Sequence, residues 1–182
     1  EKLLISAKPG MARVQFTKQK FENPDSPPTL CMLARKHFSG ARLTGVTQPG
    51  AERILELHFE TADEMGDRVA PRIICELIGN QANIVLVAQN GRIIDAVRRS
   101  DPESGKRLIL PGAVYEYPKA QGKLDPLKNS ADEIAEKIMQ FPELPLSRAV
   151  LSATDGISPL IAREVSYRAT GEDAVVRNTS FE

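Results

Sequence analysis

The sequence has 182 residues, which is enough for one or two domains that each bury a hydrophobic core. Lysine plus arginine and aspartate plus glutamate number 24 each, so no net field points to nucleic acid or membrane, while a local basic face stays compatible with this balance. No apolar run approaches the roughly 20 residues that a membrane-spanning helix needs, and we expect no membrane partner.

The first forty residues predict a β-hairpin followed by a helix. Two short strand-like runs, 3–7 and 12–16, flank Pro9-Gly10, a dipeptide typical of tight turns. Helical spacing of apolar residues then predicts a helix that begins with Ser26 as its N-cap and ends at Gly40.

The stretch 41–99 predicts a meander of four antiparallel strands, and the rest of the chain is organised around it. Alternation of apolar and polar residues over 53–60 predicts a half-buried strand, and 72–78 alternates in the same way. After the apolar run 83–88, Asn90-Gly91 predicts a tight hairpin with the returning run 93–97.

Two features of the meander bear on function. The charged segment 61–68 is predicted to be a solvated loop, because the spacing of its acidic residues fits no calcium-binding loop. Glu76 lies among apolar residues, so we expect either a position at the sheet edge or a buried carboxylate with a partner.

Proline and glycine recur through 98–128, which predicts an irregular connection that wraps over the sheet edge, with Tyr115 and Tyr117 as anchors. A domain boundary follows from the change of pattern at the end of this connection. We therefore predict a β-domain over residues 1–126 and a helical domain over residues 127–182.

The helical domain contains a possible phosphate-binding turn. A capping box at 130–133 starts one helix, a second begins at Pro145, and a third begins at Pro159 after the segment Asp155-Gly156-Ile157-Ser158. Two helices joined by a tight glycine turn resemble a helix-hairpin-helix unit, whose main-chain N–H groups bind phosphate without reading bases. Ser158 stands where the common motif has a second glycine, so a plain structural αα-hairpin is an equal alternative.

Several blocks resemble the N-terminal domain of the fibronectin-binding protein A family, which is the NFACT-N domain of the ribosome quality-control factor RqcH and its eukaryotic counterparts. The blocks cover nearly the whole chain, at 3–14, 18–24, 28–37, 76–79, 110–116 and 156–164. The resemblance implies an α+β fold: a β-sandwich related to the N-terminal domain of formamidopyrimidine-DNA glycosylases, then a helix-hairpin-helix domain. About thirty residues are expected before Glu1 from the usual extent of the family, and further domains after the chain.

The resemblance implies a cytoplasmic, ribosome-associated role. The full-length protein would bind an obstructed large ribosomal subunit with peptidyl-tRNA and recruit alanyl-tRNA, so that alanine is added to the stalled chain without mRNA. This chain would be its tRNA- and ribosome-binding module, without enzymatic activity, cofactor or metal of its own. The older family name implies a different role, that of a surface adhesin which binds fibronectin.

The resemblance also implies which residues meet RNA. A neighbouring Asp-Arg pair that the family requires for tRNA engagement matches Glu52 and Arg53, with a carboxylate one methylene longer. Adjacent residues on a strand point to opposite faces, so the pair is a poor catalytic candidate, and a solvated strand-end Arg53 is the structural alternative. Bacterial relatives commonly carry Arg-His-Ser-Asn where this chain has residues 80–83 without a cation, so we expect weaker RNA contact there. Gly156, Ser158 and Arg163 complete the predicted RNA-binding residues.

Other functional classes are disfavoured. A DNA glycosylase of related fold needs an amine nucleophile, typically an N-terminal proline beside a glutamate, and the start of the full-length protein would decide this. Cofactor-binding and metal enzymes lack support, since there is no glycine-rich phosphate loop and no cluster of cysteine and histidine. Cys31 and Cys75 lie far apart in apolar patterns, which predicts a buried, reduced thiol at each position.

Overall fold

The computed structural model describes residues 1–101, 107–119 and 121–179. Parts of two predicted segments, 102–106 with Ala120 in the connection and 180–182 at the end of the helical domain, lie outside the described residues. The chain divides into two compact units. One comprises Glu1–Pro49 with Arg53–Pro118, and the other comprises Gly50–Glu52 with Lys119–Glu182.

The first unit begins with a hairpin and a helix, as predicted. Strands β1 (Lys2–Ser6) and β2 (Arg13–Thr17) pair antiparallel, and helix α1 (Thr29–Phe38) follows. The N-cap of α1 is Pro28, without a side-chain hydrogen bond, so the prediction of Ser26 as N-cap is wrong. Gly40, at φ +73°, takes the left-handed conformation just beyond the helix.

A six-stranded antiparallel sheet forms the centre of this unit and confirms the meander. Its strands run in the order β3-β4-β6-β7-β8, with a short β5 paired to β4. Their bounds are β3 Arg42–Thr47, β4 Ile54–Ala62, β5 Arg68–Val69, β6 Arg72–Glu76, β7 Asn83–Val87 and β8 Ile93–Ala96. The sheet has six strands where four were predicted, and the ladder between β4 and β5 extends pairing into a segment predicted as loop.

One face of the sheet carries the apolar core of the first unit. Alternate strand residues build it, together with residues of the connection after β8; the buried members are Ile54, Ile74, Val85, Val87, Ile93, Ala96, Ile109 and Tyr115. The connection runs along the β8 edge. There, Ile93 N donates a hydrogen bond to Ala113 O at 2.8 Å, and Tyr115 N donates one to Gly91 O at 2.9 Å. The described part of the connection therefore wraps the sheet edge, as predicted.

Two buried carboxylates lie on the same face. Glu76 is 3% exposed and accepts hydrogen bonds from Arg107 Nη2 at 2.6 and 2.7 Å and from the Tyr115 hydroxyl at 2.7 Å. Glu56 is equally buried; it accepts from Arg72 Nη1 at 3.0 Å and from the Tyr117 hydroxyl. Burial, reinforced by the negative charge of Glu76, raises the pKa of Tyr115 far above its ordinary value, so its hydroxyl stays a donor.

The two tyrosines also contact each other, with ring centroids 5.4 Å apart and planes at 81°. Their predicted role as anchors is confirmed. Cys75 is buried, and burial raises the pKa of its thiol to about 12, so it stays protonated near neutral pH. Cys31 is only partly buried, which corrects the prediction for that residue.

Three helices form the second unit: α2 (Ala131–Met139), α3 (Leu146–Ala153) and α4 (Pro159–Thr170). The predicted capping box of α2 is present, since Ser130 Oγ accepts from Glu133 N and the Glu133 carboxylate accepts from Ser130 N. A small core joins α3 and α4 through the close contacts that alanine allows; its buried members are Ile138, Leu146, Ala149, Val150, Ala153, Ala162 and Val176.

A distant aspartate caps α3. Pro145 precedes the helix and provides no side-chain cap, and Asp173 takes that role by accepting from Ser147 N at 2.9 Å and Ser147 Oγ at 2.6 Å. The Ser166 hydroxyl of α4 donates to the same carboxylate at 3.0 Å. These hydrogen bonds lower the pKa of Asp173, and the bond from the Ser147 hydroxyl has the largest effect.

The first unit thus combines antiparallel sheets with a helix and the second unit is helical, which confirms the α+β class at this level. No helix among the described residues is long and apolar enough to cross a membrane.

We predict that Glu76→Gln lowers the free energy of unfolding by about 3 kcal/mol, because Arg107 is then left without a counter-charge in a largely buried site. Urea unfolding measures this loss. Glu60→Gln is the matched control, since Glu60 pairs with Arg42 on the exposed surface and its loss should cost less than about 0.5 kcal/mol. Equal losses in the two variants would contradict the account of the buried pair.

The second prediction concerns acid. A carboxyl whose pKa is lowered on folding adds stability above the unfolded pKa of about 3.9, and this stability is lost as the pH falls through the folded pKa. Asp173→Asn should therefore cost about 1 kcal/mol at neutral pH, the usual value of a helix cap, and should flatten the acid side of the stability profile. Asp132→Asn, on the exposed face of α2, controls for the loss of one negative charge. An unchanged acid limb in Asp173→Asn would refute the tertiary cap.

Candidate nucleic-acid interface

The turn that carries Glu52 and Arg53 lies directly before β4. Gly50, at φ +56°, turns the chain, and β4 begins at Ile54, one residue later than the predicted strand. The pair consequently lies in a turn and not on a strand. The rule that adjacent strand residues point to opposite faces therefore does not apply to Glu52 and Arg53. The division between the compact units falls between them, with Glu52 in the second unit and Arg53 in the first.

Arg53 is exposed, and its main chain is fixed to the sheet. Its carbonyl oxygen accepts from Leu77 N at 2.7 Å, just beyond the end of β6. The side chain has no acidic partner among the described residues, so its guanidinium is available to an anion. Glu52 is partly buried and engaged with a neighbour.

The glycine turn of the second unit is constrained in two ways. Gly156 has φ +70°, a conformation that residues with a side chain adopt only at a cost. A Cβ at this position would lie 3.0 Å from Ala51 Cβ and 3.5 Å from Ala51 O. The turn therefore packs against the 50–52 segment within the second unit, and two sequence regions predicted to bind RNA lie side by side.

The start of α4 offers fewer donors than a bare helix terminus. Ser158 is the N-cap, and its Oγ accepts from Ile161 N at 3.2 Å while its carbonyl accepts from Ala162 N at 2.9 Å. Pro159 has no N–H. Free main-chain donors lie instead in the turn, because the N–H groups of Gly156, Ile157 and Ser158 have no acceptor among the described residues. The Ser158 hydroxyl is occupied as the N-cap of α4, so the main-chain N–H of Ser158 is the group that an anion could bind.

Arg163 lies on the second turn of α4 and is exposed. It has no acidic partner in the described part of the chain, unlike Arg168, which bonds to Glu164 at 2.6 Å on the same helix. Helix α4 also exposes four large hydrophobic side chains near Arg163, which are Leu160, Ile161, Val165 and Tyr167.

The turn after β6 is contacted by a cation from another part of the chain. Residues Gly79–Gln81 form a short 3₁₀ turn without a cation of their own, as the sequence requires. Arg98, however, reaches this turn from beyond β8, where its Nη1 donates to Asn80 O at 2.5 Å. The Arg98-Arg99 dipeptide after the last strand was a signal visible in the sequence, but pairing of the strands was needed to place Arg98 beside this turn.

A cavity of about 810 Å³ lies in the first unit between α1 and the sheet face opposite the core. Its lining is mainly aliphatic, with Cys31 and the Asp95–Arg99 ion pair as polar features. Such a lining does not suit a phosphate backbone. No cluster of histidine, cysteine, aspartate and glutamate able to hold a metal ion exists among the described residues.

Comparison with known proteins identifies the family. The model of the NFACT N-terminal and middle domains matches residues 1–181. Rqc2 homolog RqcH of Bacillus subtilis is 38% identical over 171 residues, which cover 93% of this chain and 30% of that protein. Rqc2 homolog RqcH of Streptococcus suis is 36% identical over 145 residues, covering 79% of this chain and 26% of the relative.

Solved structures agree with this. The N-terminal domain of fibronectin-binding protein PavA from Streptococcus pneumoniae superposes with a TM-score of 0.77 at 29% identity, over 93% of this chain and 66% of that one. The N-terminal part of the fibronectin/fibrinogen-binding protein from Streptococcus suis superposes with a TM-score of 0.79 at 29% identity. The match covers 97% of this chain and 65% of that one. The chain thus spans less than a third of the curated relatives it matches. The family model, the relatives and the shared fold together establish that this chain belongs to the NFACT family, in the region of its N-terminal and middle domains.

Proposed function

We propose that this chain is the tRNA- and ribosome-binding module of a ribosome-associated quality-control factor. The observation that carries the proposal is its 38% identity to Rqc2 homolog RqcH over 93% of the chain. The full-length protein would bind obstructed large subunits with peptidyl-tRNA and recruit alanyl-tRNA for template-free tailing in the cytoplasm. The module would bind and position RNA, and the peptide-bond chemistry would belong to the ribosome.

Two features of the chain support an RNA-binding role. Arg53 presents an exposed guanidinium with no acidic partner among the described residues, and a guanidinium binds phosphate through paired N–H groups. The turn at Gly156 presents, beside the 50–52 segment, three main-chain N–H groups that have no acceptor in the part of the chain that the structure describes. Main-chain N–H groups can bind the phosphate backbone of an RNA without reading its base sequence.

We interpret α3, the Gly156 turn and α4 as a helix-hairpin-helix unit. The left-handed Gly156 and the capped helix that follows support this, and Ser158 would contribute its main-chain N–H to a phosphate. The first unit would be the β-sandwich related to formamidopyrimidine-DNA glycosylases. This likeness is one of fold, and the proposal gives the chain no glycosylase or other enzymatic activity.

A second candidate function is adhesion to fibronectin. Three similar solved structures carry fibronectin- or fibrinogen-binding names, and this is the observation in its favour. Binding of the purified chain to immobilised fibronectin, with and without competing tRNA, distinguishes the two roles. Binding to fibronectin alone would favour adhesion.

Arg53→Ala is predicted to weaken binding of the chain to labelled tRNA and to lower the slope of log affinity against log salt by about one. The reason is that one phosphate contact is lost and fewer counterions are released. Fluorescence anisotropy over a salt series gives both quantities. Arg68→Gln removes an exposed charge at the opposite end of β4 and serves as the control. The same slope in Arg53→Ala and in the unmodified chain would remove Arg53 from the interface.

Arg163→Gln tests the glycine turn without disturbing it, because the removal of an exposed charge leaves stability within about 0.5 kcal/mol. We expect a normal melting temperature with weaker, less salt-sensitive tRNA binding. Arg168→Gln, on the same helix, should bind normally. Normal binding by Arg163→Gln would refute a contact by Arg163 and move the RNA surface back to the sheet. Gly156→Val is the coarser variant, since strain and the contact with Ala51 should lower stability and binding together.

A further inference from the structure

Five strand ends meet at one end of the six-stranded sheet. β4 and β7 begin there, while β3, β6 and β8 end there, because neighbouring strands of the sheet are antiparallel. The hydrogen bond from Leu77 N to Arg53 O at 2.7 Å fixes Arg53 beside the end of β6. Arg98 follows the end of β8, so it lies at the same end of the same unit.

Arg98 is held in place by a buried side chain. Asn83, 5% exposed, accepts from Arg98 N at 2.9 Å through Oδ1 and donates to Arg98 O at 2.9 Å through Nδ2. The paired bonds fix the Arg98 backbone at the start of β7. Its guanidinium then reaches the 3₁₀ turn, where Nη1 donates to Asn80 O. One nitrogen is thereby anchored, and the other N–H donors of this partly buried guanidinium have no acceptor among the described residues.

The other arginines near this end are neutralised. Arg99 forms two hydrogen bonds with Asp95, at 2.8 and 2.9 Å, and Arg107 binds Glu76. Arg53 and Arg98 have no acidic partner in residues 1–101, 107–119 and 121–179. Two uncompensated positive charges thus remain at this end of the sheet, both on fixed backbone.

We propose that Arg98 contacts a phosphate of the same RNA that Arg53 contacts. Arg98 thereby supplies the Gly79–Gln81 turn with a positive charge, which the residues of the turn lack. This inference rests on the proposed function and adds a binding residue to it. A guanidinium with one anchored nitrogen is pre-oriented, so little freedom is lost when its other N–H groups bind phosphate. The uncompensated charge favours a polyanion over a neutral partner.

The test uses the whole chain and a labelled tRNA, with affinity measured over a salt series. Arg98→Gln should weaken binding about tenfold and lower the salt slope by about one, as expected for the loss of one charged contact. Arg98→Lys keeps the charge and should keep the slope. The matched control is Arg92→Gln, because Arg92 also donates to a main-chain oxygen, Gly112 O at 2.6 Å, but precedes β8 and lies at the opposite end of the strand.

Each outcome decides the point. If Arg53→Ala weakens binding while Arg98→Gln binds like the unmodified chain, the role of Arg98 is wrong and the proposed function stands. If Arg92→Gln weakens binding as much as Arg98→Gln, or if Arg98→Lys behaves like Arg98→Gln at an unchanged melting temperature, the contact is not a phosphate contact at this end. If the unmodified chain fails to bind tRNA and binds an acidic protein ligand instead, both proposals fall.

Discussion

The buried carboxylate of Glu76 is the constraint on which the first unit depends. Without compensation, a charge in that position would cost several kcal/mol, so the sheet needs a cation and a donor from outside its strands. Arg107 and Tyr115 supply both, and Arg107 also lies 5.2 Å from the centre of the Tyr115 ring. The connection after β8 must therefore return along the sheet edge, where it also buries Ile109 in the core.

The same compensation shapes the surface at the end of the sheet. Pairing of Glu76 with Arg107 and of Asp95 with Arg99 cancels four charges close to the strand ends. Among the described residues, Arg53 and Arg98 carry positive charges at this end without an acidic partner. A protein with no net charge can thus present a local positive surface, since what matters for a polyanion is the field close to the contact and not the total.

Local rules of the sequence predicted most of the fold. Alternation located β4 and β6, Asn90-Gly91 located the last hairpin, and the Ser130–Glu133 capping box located α2, because each depends on residues close in the chain. The N-cap of α1 was missed since Pro28 starts the helix without a side-chain bond. The tertiary cap by Asp173 could not be predicted, because Ser147 and Asp173 are 26 residues apart.

The candidate site was predicted in part, for the same reason. Resemblance located Glu52 and Arg53, and glycine geometry located the turn at 156. The contact between Ala51 and Gly156 and the placement of Arg98 depend on tertiary structure, whereas the N-cap at Ser158 is local and joins residues three apart.

Ultraviolet cross-linking of the chain to tRNA, followed by mass spectrometry of the cross-linked peptides, would show which residues of the chain meet RNA. We expect cross-links in the peptides around Arg53, the Gly79–Gln81 turn and Arg98, and around the turn at Gly156. Cross-links confined to the hairpin around Arg92 or to the β4–β5 ladder, or none at all, would contradict this expectation.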